Sequence, residues 1–284
     1  MITNNFQIIP VGDGKKVFFN RTNNYKSPAY RKISRIVGQY MKTFDGELYG
    51  FMNIHRDICP PRFTSLPDIS ELFFYGFARM KIEKLWGLVS SSGYDILKAQ
   101  FDEIYIHYEV ALDKTVVIVG KNGLYGLCIP ENNLITEIKY TDFELKQEYI
   151  LTFSNELQGI LLYDGTEVFE PVYTEVEEFY GMYMATKPSG KKILKSMQWL
   201  KESAEADEFY PPVRGGIRAK ICKSFAMIDA ETGRNLTQFI YRELTNFDGN
   251  GYAYARDGLG ISAKRIDRKG VEYSSRVRML GPKD

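Results

Sequence analysis

The sequence predicts an all-β protein made of tandem repeats of about 33–39 residues, with three short strands in each repeat. The repeats are expected to form a curved array, propeller-like or solenoidal. A small residue recurs after an aromatic residue at spacings of 37, 39 and 33 residues. A second small residue and then a further aromatic residue follow it at nearly fixed distances. A fixed period in this range is the signature of a repeat architecture.

The first small residue of each copy, named the anchor residue below, is expected to mark a close contact between backbones. The anchor residues are Gly50, Gly87, Gly126, Gly159 and Ala226. Because Ala does not share the access of Gly to positive φ, its presence favours a limit on side-chain size over a special backbone angle. The interval from Gly159 to Ala226 is 67 residues, about two periods, and predicts a degraded copy near Ile193.

The second small residue follows the anchor residue by six positions, or by seven in one copy, and is expected to lie in a turn with positive φ. Its members are Gly93, Asn132, Gly165 and Gly233. Gly and Asn are the residues that tolerate left-handed backbone best. Eight residues further along stands an aromatic side chain in every one of these copies, at Phe101, Tyr140, Tyr173 and Tyr241.

This pattern resembles the WG repeat, also called the KWG repeat, of bacterial proteins. Residues 86–89 (W-G-L-V) and 224–229 (S-F-A-M-I-D) carry the aromatic-glycine half, and residues 59–63 and 170–173 carry the proline-aromatic half. The resemblance covers about residues 49–270. Trp itself stands only at position 86, and other residues replace it at Tyr49, Tyr125, Gln158 and Phe225. Membership would imply an all-β repeat fold and no catalytic residues, since none define the family.

Residues 1–46 are expected to form a basic N-terminal segment that caps the array, which would occupy residues 47–284. Two apolar stretches flank a glycine turn at residues 11–14 and predict a hairpin. The apolar spacing in residues 28–42 suits either a short helix or an irregular strand. Residues 1–42 hold eight Lys or Arg and one acid, Asp13. This segment is expected to face solvent, to dock on an acidic part of the same protein, or to contact phosphate.

The array is expected to contain units near residues 49, 86, 125, 158, 192 and 225, and a partial unit near 263. A helix at residues 191–207 is predicted inside the degraded unit, because apolar residues recur there at helical spacing, at Ile193, Met197, Leu200 and Ala204. A tight hairpin at residues 121–124 (K-N-G-L) is expected to join one unit to the next. Since a single unit of this size cannot cover its own apolar face, neighbours are expected to share cores.

Composition argues against several classes of function. The net charge of +1 gives the whole molecule no strong attraction to nucleic acid or anionic lipid. Three single cysteines without metal-ligand spacing lead us to expect no metal and no cofactor. No signal peptide or membrane span is indicated, so we expect a cytoplasmic location. The only histidines, His55 and His107, lie in no recognisable catalytic motif, and we expect that the protein is not an enzyme.

The distribution of charge points to one candidate binding surface. Residues 141–180 contain ten acids and a single base, Lys146. In the strand-like stretch 175–178 acids and apolar residues are mixed, so many of the carboxylates must face water. The candidate protein-binding residues are Asp142, Glu144, Glu170, Glu175, Glu177 and Glu178. The alternative is a solvated face that only keeps the protein soluble.

We therefore expect a non-catalytic scaffold or interaction protein whose partner is another protein, and a basic partner would suit these carboxylates. Two other classes stay open. Twenty tyrosines favour a carbohydrate-binding or carbohydrate-processing protein. Basic ends favour nucleic-acid binding, because residues 256–284 hold eight Lys or Arg against four acids and the N-terminal segment is also basic. Nucleic acid is the less favoured partner, since the whole chain is nearly neutral.

Overall fold

The computed structural model describes residues 5–109, 113–130, 134–199, 201–257 and 263–274. Nearly all regular structure in these ranges is β, which confirms that the protein is all-β, while the curved repeat array stays a prediction. The one helix in the described part of the chain is α1 (Ser70–Phe74). The strands are β1 (Phe6–Gly12), β2 (Lys15–Asn20), β3 (Tyr25–Lys26), β4 (Lys32–Ile33), β5 (Tyr40–Phe44), β6 (Tyr49–Asn53), β7 (Asp57–Phe63), β8 (Phe77–Ile82), β9 (Leu85–Ser90), β10 (Asp95–Phe101), β11 (Glu103–Glu109), β12 (Lys114–Lys121), β13 (Leu124–Ile129), β14 (Leu134–Ile135), β15 (Asp142–Leu145), β16 (Ile150–Ser154), β17 (Leu157–Leu161), β18 (Glu167–Tyr173), β19 (Glu175–Phe179), β20 (Met182–Thr186), β21 (Lys192–Lys195), β22 (Glu208–Phe209), β23 (Gly216–Ile221), β24 (Ser224–Asp229), β25 (Tyr241–Leu244), β26 (Tyr252–Asp257), β27 (Ala263–Asp267) and β28 (Glu272–Ser274).

The strands form small antiparallel sheets in two compact units, which divide between Thr141 and Asp142. Within each sheet, hydrogen-bonded neighbours follow one another along the chain. The first unit contains the sheets β1-β2-β3, β4-β5-β6-β7, β8-β9-β10 and β11-β12-β13-β14. The second contains β15-β16-β17-β18, β19-β20-β21 and β22-β23-β24-β25-β26-β27-β28.

Inside each unit, consecutive sheets share apolar cores. On β9, Leu88 lies in the core shared with β11, β12 and β13, whereas Val89 lies in the core shared with β6 and β7. Neighbouring residues of a strand point to opposite faces, so one strand supplies two cores. In the second unit, Met227 and Ile228 of β24 are divided between two cores in the same way. The expected sharing of cores between neighbours is confirmed within each unit.

The anchor residues lie within β6, β9, β13, β17 and β24, and all are buried. A Cβ added at Gly50 would lie 2.3 Å from a carbonyl oxygen of β7, and one at Gly87 or Gly159 would lie 2.5 Å from a carbonyl oxygen of β10 or β18. The partner strand is irregular in register at each of these three contacts. Because none of these glycines has positive φ, the predicted limit on side-chain size is confirmed there.

The connection that follows Ala226 differs from the one that follows Gly87. Strand β24 pairs with β25 only through Phe225 and Tyr241. The chain also takes 15 residues from Ala226 to Tyr241, against 14 from Gly87 to Phe101. The Ala226 side chain is fully buried.

The second small residue has the backbone angle that its chemistry predicts. The φ angles are 89° at Gly93, 88° at Gly165 and 70° at Gly233, so a left-handed turn is confirmed at these three sites. Asn132 lies outside the described residues. The aromatic residue that follows is buried in every copy and pairs with the residue before the anchor, as Trp86↔Phe101, Tyr125↔Tyr140, Gln158↔Tyr173 and Phe225↔Tyr241.

The prediction of a helix at residues 191–207 is wrong. Residues 192–195 form β21, and the chain then turns back until Ala206 forms a bridge with Lys192. Adjacent Ile193 and Leu194 are both buried, one in each neighbouring core, because β21 is covered on both faces. The apolar spacing does not mark a helix face, because the Met197 side chain is 54% exposed and lies outside the core. Leu200 lies outside the described residues.

The N-terminal hairpin is confirmed as β1 and β2, which pair from Phe6 to Asn20. Residues 28–42 form short strand segments and loops, which agrees with the irregular strand rather than the short helix. Strand β5 pairs with β6 across residue 46, with Thr43 opposite Gly50. Residues on either side of position 46 therefore share a sheet.

We expect Gly87→Ala to destabilise the protein and Gly87→Val to destabilise it further. The added Cβ meets backbone of β10, which cannot move without breaking the pairing with β9, so the cost should reach about 3 kcal/mol for Val. Gly249→Ala is the control, since a Cβ at Gly249 meets nothing within 4 Å and its φ is not positive. Urea melts of the three variants measure the difference. Equal stability of Gly87→Val and the control would contradict the steric role.

Candidate functional site

The six predicted binding residues lie in the second unit, and all are exposed. Together they are named the acidic surface below. They occupy three strands, with Asp142 and Glu144 on β15, Glu170 on β18, and Glu175, Glu177 and Glu178 on β19.

Strand alternation explains why these carboxylates face water. On β15, Asp142 and Glu144 are exposed while Phe143 and Leu145 between and after them are half-buried. On β19, Glu175 and Glu177 flank Val176, whose side chain lies in the core. Neighbouring side chains of a strand point to opposite faces, so an acid at every second position forms an acidic row.

The charges of three members of the acidic surface act on one tyrosine. The Tyr149 and Tyr183 rings contact edge to face, with their centroids 5.7 Å apart. Burial raises the pKa of Tyr149; the Lys146 ammonium opposes this rise, and the carboxylates of Glu144, Glu178 and Glu177 add to it. Glu144 comes from one sheet and Glu177 and Glu178 from the next. The structure thus places carboxylates from two sheets beside one half-buried aromatic pair.

Glu170 belongs to a different neighbourhood. Burial, followed by the charges of Glu202 and Glu170, raises the pKa of Tyr173 to about 12. Glu170 is therefore close to Tyr173 and Glu202, and it is not among the charges acting on Tyr149 or Tyr183. Glu202 is a further acid near this surface that the sequence pattern did not single out.

Local bases neutralise little of this charge. Lys146 pairs with Glu144 at 2.5 Å, and the side chains are 38% and 54% exposed. An exposed ion pair of this kind contributes only about 0–1 kcal/mol. One Glu178 oxygen accepts a hydrogen bond from the Gly181 backbone N–H at 2.6 Å, which fixes the carboxylate at the end of β19. Since Lys146 is the only base in residues 141–180, most of the charge is uncompensated by this segment.

The structure adds Tyr180, which the sequence analysis did not select. Tyr180 and Gly181 form the two-residue turn between β19 and β20, with φ angles of 52° and 75°. The Tyr180 side chain is 64% exposed, and its ring contacts that of Phe179 at 5.0 Å. A bulky residue is rare at positive φ, where Asn and Gly are usual. An aromatic side chain therefore projects beside Glu177 and Glu178 at some conformational cost.

The described residues form neither a metal site nor a disulfide. Among the described residues, no group of three or more His, Cys, Asp and Glu side chains is placed to hold a metal ion. Cys59 and Cys128 are buried, Cys222 is exposed, and all three are free. No helix in the described ranges has the length and apolar character needed to cross a membrane.

Comparison with known proteins gives no identification. No family model matches the chain, and no curated protein matches it. Among solved structures it is similar to the computationally designed Ika8 protein, with 9% identity over 100% of this chain and 89% of that chain and a TM-score of 0.23. BamB from Moraxella catarrhalis is 14% identical over 97% of this chain and 88% of that chain, with a TM-score of 0.25. Hsv2 from Kluyveromyces lactis is 7% identical over 68% and 71%, with a TM-score of 0.23. TM-scores this low carry no argument about fold or function.

We expect Tyr180→Asn to stabilise the protein by about 1 kcal/mol, because Asn tolerates the left-handed angle that costs Tyr about 1–2 kcal/mol. Tyr180→Ala is the matched control, since it removes the same exposed ring and keeps a residue that disfavours positive φ. Urea unfolding at neutral pH measures both. Equal gains in the two variants would show that removal of the ring, rather than relief of the turn, is the cause.

Proposed function

We propose that this protein is a non-catalytic interaction protein built from WG-like repeats, and that it binds another protein through the acidic surface. The observation that carries the proposal is the set of exposed carboxylates from two sheets around Tyr149, with a single base in the same segment. A protein with basic side chains is the partner that fits this surface best.

Electrostatics supports a partner for this surface. Like charges crowded on one face destabilise a fold slightly, and opposite charges on a partner remove that repulsion. Such complementarity mainly raises the rate of association and selects against wrong partners. The exposed Tyr180 ring is available for an aromatic contact with a partner. Tyrosine is enriched among the residues that dominate binding energy in protein interfaces.

The repeat character of the proposal is supported by equivalent contacts in sheets of both units. In the sheets that contain Gly50, Gly87 and Gly159, backbone of the next strand crosses over the anchor residue. In the same sheets, the residue before the anchor pairs with the residue that ends the crossing, as Tyr49↔Phe63, Trp86↔Phe101 and Gln158↔Tyr173. These contacts fit a tandem repeat whose sequence resembles the WG repeat.

Charge reversal tests the proposed interface. We expect Glu175, Glu177 and Glu178, replaced together by Lys, to lose partners that the unmodified protein captures from a lysate of its source organism. For a purified partner, the association rate should fall and its dependence on salt should flatten, because the attraction between the surfaces is removed. Quantitative mass spectrometry and association kinetics at low and high salt are the measurements.

A matched triple variant replaces Glu47, Glu83 and Glu231 by Lys. These acids are also exposed and lie away from the acidic surface in the sequence. Their replacement by Lys changes the net charge by the same amount as the first triple variant does. The control should keep the partners and the salt dependence of the unmodified protein. Equal loss in both triple variants would show a general charge effect, and no loss in the first would place the interface elsewhere.

A further inference from the structure

The first sheet, β1-β2-β3, has the same construction as the sheets that carry the anchor residues. The Phe18 N–H donates to Ser27 Oγ at 2.9 Å, and the Ser27 N–H donates back to the Phe18 carbonyl at 2.9 Å. Three other sheets hold the same reciprocal pair, Leu127 with Thr136, Leu194 with Ser203 and Met227 with Thr237. The bridge between Lys16 and Tyr30 is equivalent to the pair Trp86↔Phe101 in the β9 sheet. Strand β2 therefore corresponds to the strand that holds an anchor residue.

Within the described residues, the first sheet lacks one strand that the other sheets have. In the other sheets, the strand that holds the anchor position forms a hairpin with the strand before it. A further strand lies on the other side of that preceding strand and is named the outer strand below. The outer strands are β4 beside β5, β11 beside β12, β15 beside β16, β19 beside β20 and β22 beside β23, and Ser65 forms a bridge with Lys81 beside β8. Strand β1 is the equivalent hairpin strand, and in the described ranges it pairs only with β2.

The open edge of β1 presents backbone groups suited to such a strand. The Arg21 N–H donates to the Asn5 carbonyl at 2.9 Å, so in the alternating antiparallel pattern Asn5, Gln7 and Ile9 direct their backbone groups toward β2. Phe6 and Ile8 direct theirs to the open edge. The equivalent position in the β22-β23 sheet, Arg218, accepts a hydrogen bond from the Tyr210 N–H of the chain beside it at 2.9 Å.

The side chains of β1 are also uncovered. Phe6, Ile8, Ile9 and Val11 are 39%, 44%, 38% and 46% exposed, and β1 holds no charged residue. An exposed apolar edge strand is a template for pairing with another chain. Exposed bases lie on neighbouring parts of the chain, with Lys15 and Lys16 on β2, Lys32 on β4 and Arg31 before it.

We propose that the open edge of β1 accepts an extended acidic and apolar strand from a partner protein, which completes the first sheet as its outer strand. The chemistry of that strand follows from three of the outer strands, which combine acids with apolar residues, as D-F-E-L in β15, E-V-E-E-F in β19 and E-F in β22. The acids of the incoming strand face the neighbouring bases, and its apolar residues cover those of β1. This surface is separate from the acidic surface and goes beyond the function proposed above.

A peptide probe tests strand addition on the intact protein. The probe copies residues 173–180 (Y-T-E-V-E-E-F-Y) and carries a fluorescent label, and anisotropy measures its binding. Ile8→Pro removes the one N–H of Ile8, which points to the open edge, and leaves the hydrogen bonds to β2 in place. Ile8→Val is the control that keeps this N–H. We expect the wild type and Ile8→Val to bind the peptide alike and Ile8→Pro to bind at least about tenfold more weakly.

A second peptide keeps the test valid if Ile8→Pro does not fold. It has the same sequence with alternate backbone nitrogens methylated, which blocks the hydrogen bonds of one edge, and it should bind at least about tenfold more weakly to the wild type. A version with its three glutamates replaced by lysines should also bind weakly, because it faces the neighbouring bases.

The proposal is overturned if the first peptide does not bind the wild type at about 1 mM. It is also overturned if that peptide binds Ile8→Pro as tightly as the wild type, or if the methylated peptide binds the wild type as tightly as the first peptide. Dimers of the wild type that disappear in Ile8→Pro, seen by ultracentrifugation without peptide, would assign the edge to a second copy instead. Peptide binding should be unchanged in the variant with Glu175, Glu177 and Glu178 replaced by Lys. Failure of the acidic surface as an interface is thereby distinguished from failure of strand addition.

Discussion

Close contact between two backbones at Gly50, Gly87 and Gly159 is the constraint on which their sheets depend. At Gly87, backbone of β10 lies where a Cβ would be, and β10 is irregular in register as it crosses β9. The crossing ends at Phe101, whose buried side chain pairs beside Trp86, and the chain then leaves for the next sheet as β11. The size of one residue thus determines where the strand crosses, where the aromatic residue is buried and where the following sheet begins.

The features that arise from local chemistry were predictable from the sequence. Positive φ at Gly93 and Gly165 and crowding at Gly87 follow from what Gly allows and other residues do not. The helix at residues 191–207 failed because spacing alone does not show that β21 is covered on both faces, so Ile193 and Leu194 are buried side by side. Tertiary burial, which no local pattern contains, decided the structure there.

The equivalence of the first sheet was hidden for a related reason. Lys16 stands where four other copies have an aromatic residue, and Val17 stands where they have an anchor residue. The geometry is held instead by backbone groups and by the Ser27 hydroxyl. Such groups tolerate many sequences, so a comparison of side chains does not detect them. On the acidic surface, alternation predicted exposed carboxylates, but only the fold shows that Glu144 and Glu177 approach the same tyrosine.

The division of β9 and of β24 between two cores has a consequence for synthesis. A ribosome releases the chain from the N-terminus, so the newest sheet has one apolar face covered by the sheet before it and the other bare. That face stays bare until about 35 further residues have emerged, roughly 2–7 seconds at ordinary rates of translation. Within each unit, a sheet thus has one exposed apolar face on the ribosome until the next sheet forms, and a chaperone can bind that face.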